Sequence, residues 1–210
     1  HRTHQQPLTW AGMLMTLGIV FGDIGTSPLY VFKAIVGATG PITETVVLGG
    51  LSCIFWTLTI LTSFKYIYLT LQADNRGEGG VFSLYALVRR FGKWLWLPAI
   101  IGAATLLADG ILTPSISVSS AIEGLSGVPA FSGIIEAGNT LTVMVVAIIL
   151  SLLFFFQRFG TKVVGFSFGP IMLIWFTMLT VLGVAQLTHS PHVLASLNPK
   201  YAVQLLTQYP

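Results

Sequence analysis

Five long apolar stretches dominate this sequence and leave it few ways to fold. They run over about 11–36, 45–71, 95–121, 139–156 and 163–187. Each has the roughly 17–25 residues that a helix needs to cross a bilayer. The segments between them are short and rich in Gly, Pro, Asn and charge. Of the 210 residues only 8% are charged and 54% are hydrophobic, where a soluble domain carries about 25% charged residues. So few charges cannot coat a water-facing surface. The expectation is an all-α integral membrane protein with five transmembrane helices.

The basic residues set the orientation. With the N-terminus inside, the inner segments 1–10, 72–94 and 157–162 hold Arg2, Arg76, Arg89, Arg90, Lys93, Arg158 and Lys162, whereas the outer segments 37–44, 122–138 and 188–210 hold only Lys200. Cytoplasmic loops collect Lys and Arg, so the N-terminus is expected in the cytoplasm and the C-terminus outside. Lys33 sits in the last outer turn of the first span and can snorkel outward; Lys65 lies near the inner end of the second. The net charge of +3 is carried by loops and not by one periodic face, which argues against nucleic-acid binding. A single cysteine, Cys53, excludes an intrachain disulfide. The chain begins at His1, shows no signal peptide and reads as trimmed at its N-terminus.

Two of the seven acids stand out. Asp23 lies near the centre of the first span and Asp109 near the centre of the third, while Glu44, Asp74, Glu78, Glu123 and Glu136 fall in loops or at span ends. A carboxylate at the bilayer centre costs about 2.5–3.5 kcal/mol on insertion scales, and intramembrane acids default to function. The bland alternative is a pair of protonated carboxyls hydrogen-bonded between helices.

The surroundings of Asp23 sharpen the reading. In GIVFGDIGTSPLY, residues 18–30, Gly22 and Gly25 flank the acid and Pro28 follows. Pro28 has no N–H for the carbonyl of Ile24, and its ring clashes there. The expectation is a first span broken around 22–28, with freed carbonyls beside a carboxylate. Such an oxygen-rich, negative patch suits a hard alkali cation, and broken helices at the midplane recur in secondary transporters. A plain proline kink is the competing reading, but it has no need of Asp23. In the third span Asp109, Thr113 and Ser117 follow at intervals of four and share one helix face. Pro114 again removes a donor, that of the Gly110 carbonyl. Hydroxyls alone would read as interhelical hydrogen bonding; Asp109 in the same stripe tips the balance towards a site.

Other features read as packing or surface. Gly18 with Gly22, and Gly165 with Gly169, have the spacing that lets helices approach closely. Trp10, Trp94, Trp96 and Tyr201 suit the interfacial belt. Pro170 is expected to bend the fifth span. VFSLYALVRRFG, 81–92, reads as a short amphipathic helix on the inner membrane surface, preceded by a flexible GEGG that lacks the spacing of a phosphate loop. His189 with His192, and His1 with His4, are three apart but have no Cys, Asp or Glu beside them in sequence, so exposed histidines are favoured over a metal site. The outer tail 188–210 enters no further span.

Four motifs carry a resemblance: GDIGTSPLY (22–30), ADNRGEGGVFSLYALV (73–88), ADGILTPSISVSSAIEGL (108–125) and SLNPKYAV (196–203). In this order they resemble the KUP/HAK/KT potassium uptake permeases, over nearly the whole chain. The resemblance implies a proton-coupled potassium symporter of the amino acid–polyamine–organocation superfamily. It implies a LeuT-like core of two inverted five-helix repeats, followed by further spans and a cytoplasmic region. It places Asp23 and Tyr30, with Asp109, Thr113 and Ser117, around the potassium ion, and makes Asp23 or Asp109 the proton-coupling group. The third-span acid is Asp in some members and Glu in others. Five spans are one repeat, so the chain is expected to be the N-terminal portion of a longer transporter. No cofactor and no enzyme activity are implied. The partners implied are potassium, protons, the lipid bilayer and the second repeat, with a homodimer allowed for, in the plasma membrane.

Three other readings compete. An intramembrane aspartyl protease also sets two aspartates on separate helices, with a shared proton. Its signature is missing: Val20 stands where a glycine is wanted, and no Tyr precedes Asp109. A sodium-coupled amino-acid carrier on the same fold would leave helix N-terminal amides free for a substrate carboxylate, where Asp23 stands here. A passive channel would need a repeated filter motif.

Overall fold

The computed structural model describes residues 9–73, 75, 79–131, 133, 135, 138–157 and 161–209, with backbone alone at 19, 23, 71, 157 and 161–167. The expectations placed on His1, Arg2, His4, Arg76, Glu78 and Arg158 therefore lie outside the described residues, as do those on the Asp23 and Lys162 side chains. The described chain is helical. Its elements are α1 (Trp10–Thr39), α2 (Glu44–Thr57), α3 (Val81–Val88), α4 (Trp96–Gly124), α5 (Thr140–Gln157), α6 (Thr161–His189) and α7 (Pro199–Gln208). Three helical stretches are long and apolar enough to cross a membrane: Glu44–Leu69, Lys93–Gly127 and Phe168–His189. Counting the bent pair Trp10–Gly18 and Val20–Thr39 as one span makes four; Thr140–Phe156 is apolar but shorter.

Local chemistry sets the helix starts. Thr9 takes the Gly12 N–H on its hydroxyl at 3.2 Å and opens α1. Thr43 caps α2 by accepting from the Val46 N–H at 3.4 Å, with Glu44 in the positive first turn. Asn198 caps α7, taking the Lys200 N–H at 3.0 Å, and Pro199 follows at a position that needs no donor. Beyond Thr57 the second span changes winding and runs as a π-helix over Leu58–Leu69. There the Thr70 hydroxyl donates to the Lys65 carbonyl five residues back, at 2.9 Å. Nothing in the sequence pattern announced this change.

The first span departs from expectation in where it breaks. Residues 22–28 stay helical within α1. The 42° bend lies instead between Trp10–Gly18 and Val20–Thr39. Pro28 costs the helix one donor, that of the Ile24 carbonyl, while two neighbouring carbonyls each take a side-chain donor. The Thr26 hydroxyl donates to the Gly22 carbonyl at 3.2 Å, and the Trp175 indole N–H donates to the Gly25 carbonyl at 3.1 Å. Hydroxyls and neighbouring helices are how membrane helices tolerate an internal proline. Pro114 likewise sits inside an unbroken α4, where Ser115 donates to the Ile111 carbonyl at 2.8 Å.

The chain folds as two compact units, and their boundaries fall inside α1, after Tyr30, and inside α4, after Gly110. The unit of Val31–Gly110 and His192–Pro210 is built on α2 and α7. Val46 is fully buried and Leu205 is 5% exposed. The Ser52 hydroxyl donates to the Asn198 carbonyl and the Trp56 indole to the Leu197 carbonyl, both at 3.0 Å. A Cβ on Gly49 would lie 2.7 Å from the Leu205 Cβ, so α7 rests directly on the α2 backbone. Val81 packs beside Gly102 and sets α3 against the start of α4.

The other unit joins α1 up to Tyr30 with Ile111–Pro191. Within it α1 and α6 touch backbone to backbone. A Cβ on Gly18 would stand 2.5 Å from the Gly169 nitrogen, and one on Gly169 would collide with the Leu14 carbonyl. Phe21 meets Phe176 edge-on at 6.4 Å. Gly18→Ala is therefore expected to cost about 1–3 kcal/mol through overpacking. Gly37→Ala, with nothing within 4 Å of its new methyl, should gain up to about 1 kcal/mol in helix propensity. Thermal unfolding midpoints in detergent should move in opposite directions for the two variants.

Candidate cation site

Membrane helices have to satisfy their hydroxyls internally, and most here fold back onto their own helix. Thr16, Thr59, Thr105, Ser151, Thr177 and Thr180 each donate to the carbonyl four residues earlier, at 2.7–2.8 Å. Two hydroxyls at the expected site break this habit. Tyr30 donates its phenol proton to the Ser27 Oγ at 2.8 Å. The Ser117 Oγ is buried and has no hydrogen-bond partner among the described residues.

On α1 the polar residues share a face. Counting from Asp23, Thr26 and Ser27 follow at three and four residues and Tyr30 at seven, which at 100° per residue is one side of the helix. The opposite side carries Leu14, Gly18, Phe21 and Gly25 and is taken up by α6. The α1 backbone therefore turns the register position of Asp23 away from α6. The Ser27 contact leaves the lone pairs of the Tyr30 phenol as acceptors. Sequence reasoning had not singled out Ser27. Its spacing from Asp23 and Tyr30 was the signal available.

On α4, Asp109, Thr113 and Ser117 occupy one uninterrupted helix at intervals of four. Asp109 is exposed, Thr113 is half-buried and the Ser117 oxygen is buried. A buried, unpartnered hydroxyl in a low-dielectric setting costs free energy, so the Ser117 oxygen is suited to a ligand. Asp109 belongs to the unit of α2 and α7; Tyr30, Thr113 and Ser117 belong to the other.

Away from these stripes, His192 Nδ1 lies 3.0 Å from a Glu44 carboxylate oxygen, a contact made by the fold, with both side chains largely exposed. Among the described residues no group of three or more His, Cys, Asp or Glu is placed to hold a metal ion.

Comparison with known families decides the chain's relationship. A family profile described as "K+ potassium transporter integral membrane domain" matches residues 10–210. The chain belongs to this potassium transporter family. It is 51% identical over 208 residues to the "Probable potassium transport system protein Kup" of Latilactobacillus sakei subsp. sakei (strain 23K), covering 98% of this chain and 31% of the relative. The protein of the same description from Cytophaga hutchinsonii is 56% identical over 204 residues, covering 97% and 30%. That from Enterococcus faecalis (strain ATCC 700802 / V583) is 53% identical over 205 residues, covering 96% and 31%. These relatives are transport proteins and not enzymes. The chain spans about 31% of the length of these potassium transporter relatives. No solved structure matches it.

Proposed function

We propose that this chain forms the first five-helix, LeuT-like repeat of a longer potassium uptake transporter, and that the transporter moves potassium together with protons. The observation that carries the reading is the α1 stripe of Asp23, Ser27 and Tyr30. Their register sets a carboxylate position beside the Tyr30 phenol, on a helix whose other face packs against α6. Potassium takes hard oxygen ligands. Asp23 and Tyr30 on α1, with Asp109, Thr113 and Ser117 on α4, supply carboxylate, phenol and hydroxyl oxygens. The second repeat closes the site from the other side.

Two carboxylates that share one cation repel each other, and each is costly in lipid. One potassium ion offsets one charge; a proton neutralises the other. Binding the cation then changes the proton occupancy of the pair, which couples the two fluxes without a separate relay. The proton belongs to the pair and not to either aspartate alone.

Expression of the full-length gene in a strain that lacks potassium uptake tests the reading. Growth at micromolar potassium, with rubidium uptake that acidifies the cytoplasm, is the expected result. Growth rescue without proton movement would leave uptake but remove coupling. The orientation is tested by placing single cysteines at Arg76 and Ala130 in a Cys53→Ser background. A membrane-impermeant maleimide added to intact cells should label the Ala130 site and spare the Arg76 site.

A further inference from the structure

We propose that Trp175 of α6 is a positioning residue for the cation site: its indole N–H holds the Gly25 carbonyl and so fixes the rotation of the α1 turn that carries Asp23, Ser27 and Tyr30. The inference rests on the α1 reading above. Three observations meet at Gly25. The indole nitrogen of Trp175 lies 3.1 Å from the Gly25 oxygen, across 150 residues of chain. Gly25 is buried, and a Cβ there would lie 2.7 Å from Phe176 and 2.9 Å from Met172, so α6 presses on the backbone itself. Pro28, three residues on, lies inside the helix and gives Ile24 no N–H. The turn between Asp23 and Pro28 thus lacks one helical donor, and Trp175 grips it from the side opposite the polar stripe.

This arrangement does two things. Gly25 is two residues from Asp23, about 200° around the helix. Fixing its carbonyl towards α6 therefore fixes Asp23, Ser27 and Tyr30 in the opposite direction. The bond also sorts the two carbonyls of the turn. The Gly25 oxygen is committed to the indole. The Ile24 oxygen, denied its ordinary donor by Pro28, is the one left for a cation. Without the indole N–H the turn can rotate, and the ligand set loosens without losing any ligand.

The test is rubidium uptake by the purified full-length transporter in vesicles, with rates expressed per monodisperse protein. Trp175→Phe keeps an aromatic ring and removes the donor. It should raise the KM for rubidium roughly three- to tenfold, the weight of one hydrogen bond, with the maximal rate within about twofold of wild type. Trp175→His restores a ring N–H and should bring KM back towards wild type. A packing role predicts the reverse order, since Phe is the better apolar substitute. A wild-type KM in Trp175→Phe, or a larger defect in Trp175→His than in Trp175→Phe, overturns the proposal. Asp23→Asn, measured in parallel, separates the two levels. Lost uptake in Asp23→Asn with a wild-type KM in Trp175→Phe removes the positioning role alone. Wild-type uptake in Asp23→Asn removes the α1 site and the role of Trp175 with it.

Discussion

Asp23→Asn in the intact transporter is expected to lower rubidium uptake at least about a hundredfold while the protein still inserts and elutes as a single species. The substitution preserves size and most hydrogen-bonding capacity but removes the charge. A cation held in a low-dielectric site depends on that charge; removing one partner of a buried ion pair costs about 3–5 kcal/mol, or roughly two to three and a half decades in affinity. The backbone of α1 is helical on both sides of residue 23 and packed through Leu14, Gly18, Phe21 and Gly25. Stability should therefore be unchanged or slightly improved, since an intramembrane charge is a cost. Direct titration of the detergent-solubilised protein with potassium should show binding lost in parallel with uptake. Uptake within threefold of wild type would place the ion elsewhere.

Asp109→Asn is expected to act differently. It should lower uptake by about tenfold or more at acidic pH and flatten the dependence of rate on pH. The reason is the shared proton. With both carboxylates present, a falling external pH supplies the proton that accompanies each potassium ion. With Asp109 neutral at every pH, the pair can no longer exchange that proton. Asp109→Glu retains an ionisable group on the same helix face, above Thr113 and Ser117, and should keep the pH response with a milder loss of rate. Rubidium uptake into vesicles between pH 5.5 and pH 8 at matched protein density measures the difference. A pH profile for Asp109→Asn that superimposes on wild type would remove Asp109 from coupling and leave the potassium-binding role of Asp23 standing.

The membrane class and the helices could be read from the chain, because both follow from local chemistry. Apolar runs of bilayer length must be helical in lipid, where no water satisfies the backbone, and the caps at Thr9, Thr43 and Asn198 act on the next three residues. The polar stripe of Asp109, Thr113 and Ser117 is likewise a matter of counting by four, and the motif around Asp23 named the region of interest. The break in α1 was misplaced. From sequence, Gly22, Gly25 and Pro28 are three reasons to unwind. In the fold, a hydroxyl four residues on and an indole on another helix hold the carbonyls of Gly22 and Gly25, and the helix survives.

What only the tertiary structure decided is which faces are spent on packing. Gly18 and Gly169 stand 151 positions apart, and nothing local says that their backbones touch. The tail around Tyr201–Leu205 reads from sequence as a segment that enters no further span; Gly49, Ser52 and Trp56 make it the partner of α2. The sequence by itself determined that this chain is a helical membrane protein with acids at two mid-span positions, because transfer free energy depends on residue type and run length alone. Which side of α1 faces protein, and so which side is left to Asp23, Ser27 and Tyr30, depends on contacts between residues remote in the chain, and those exist only once α6 has packed against it.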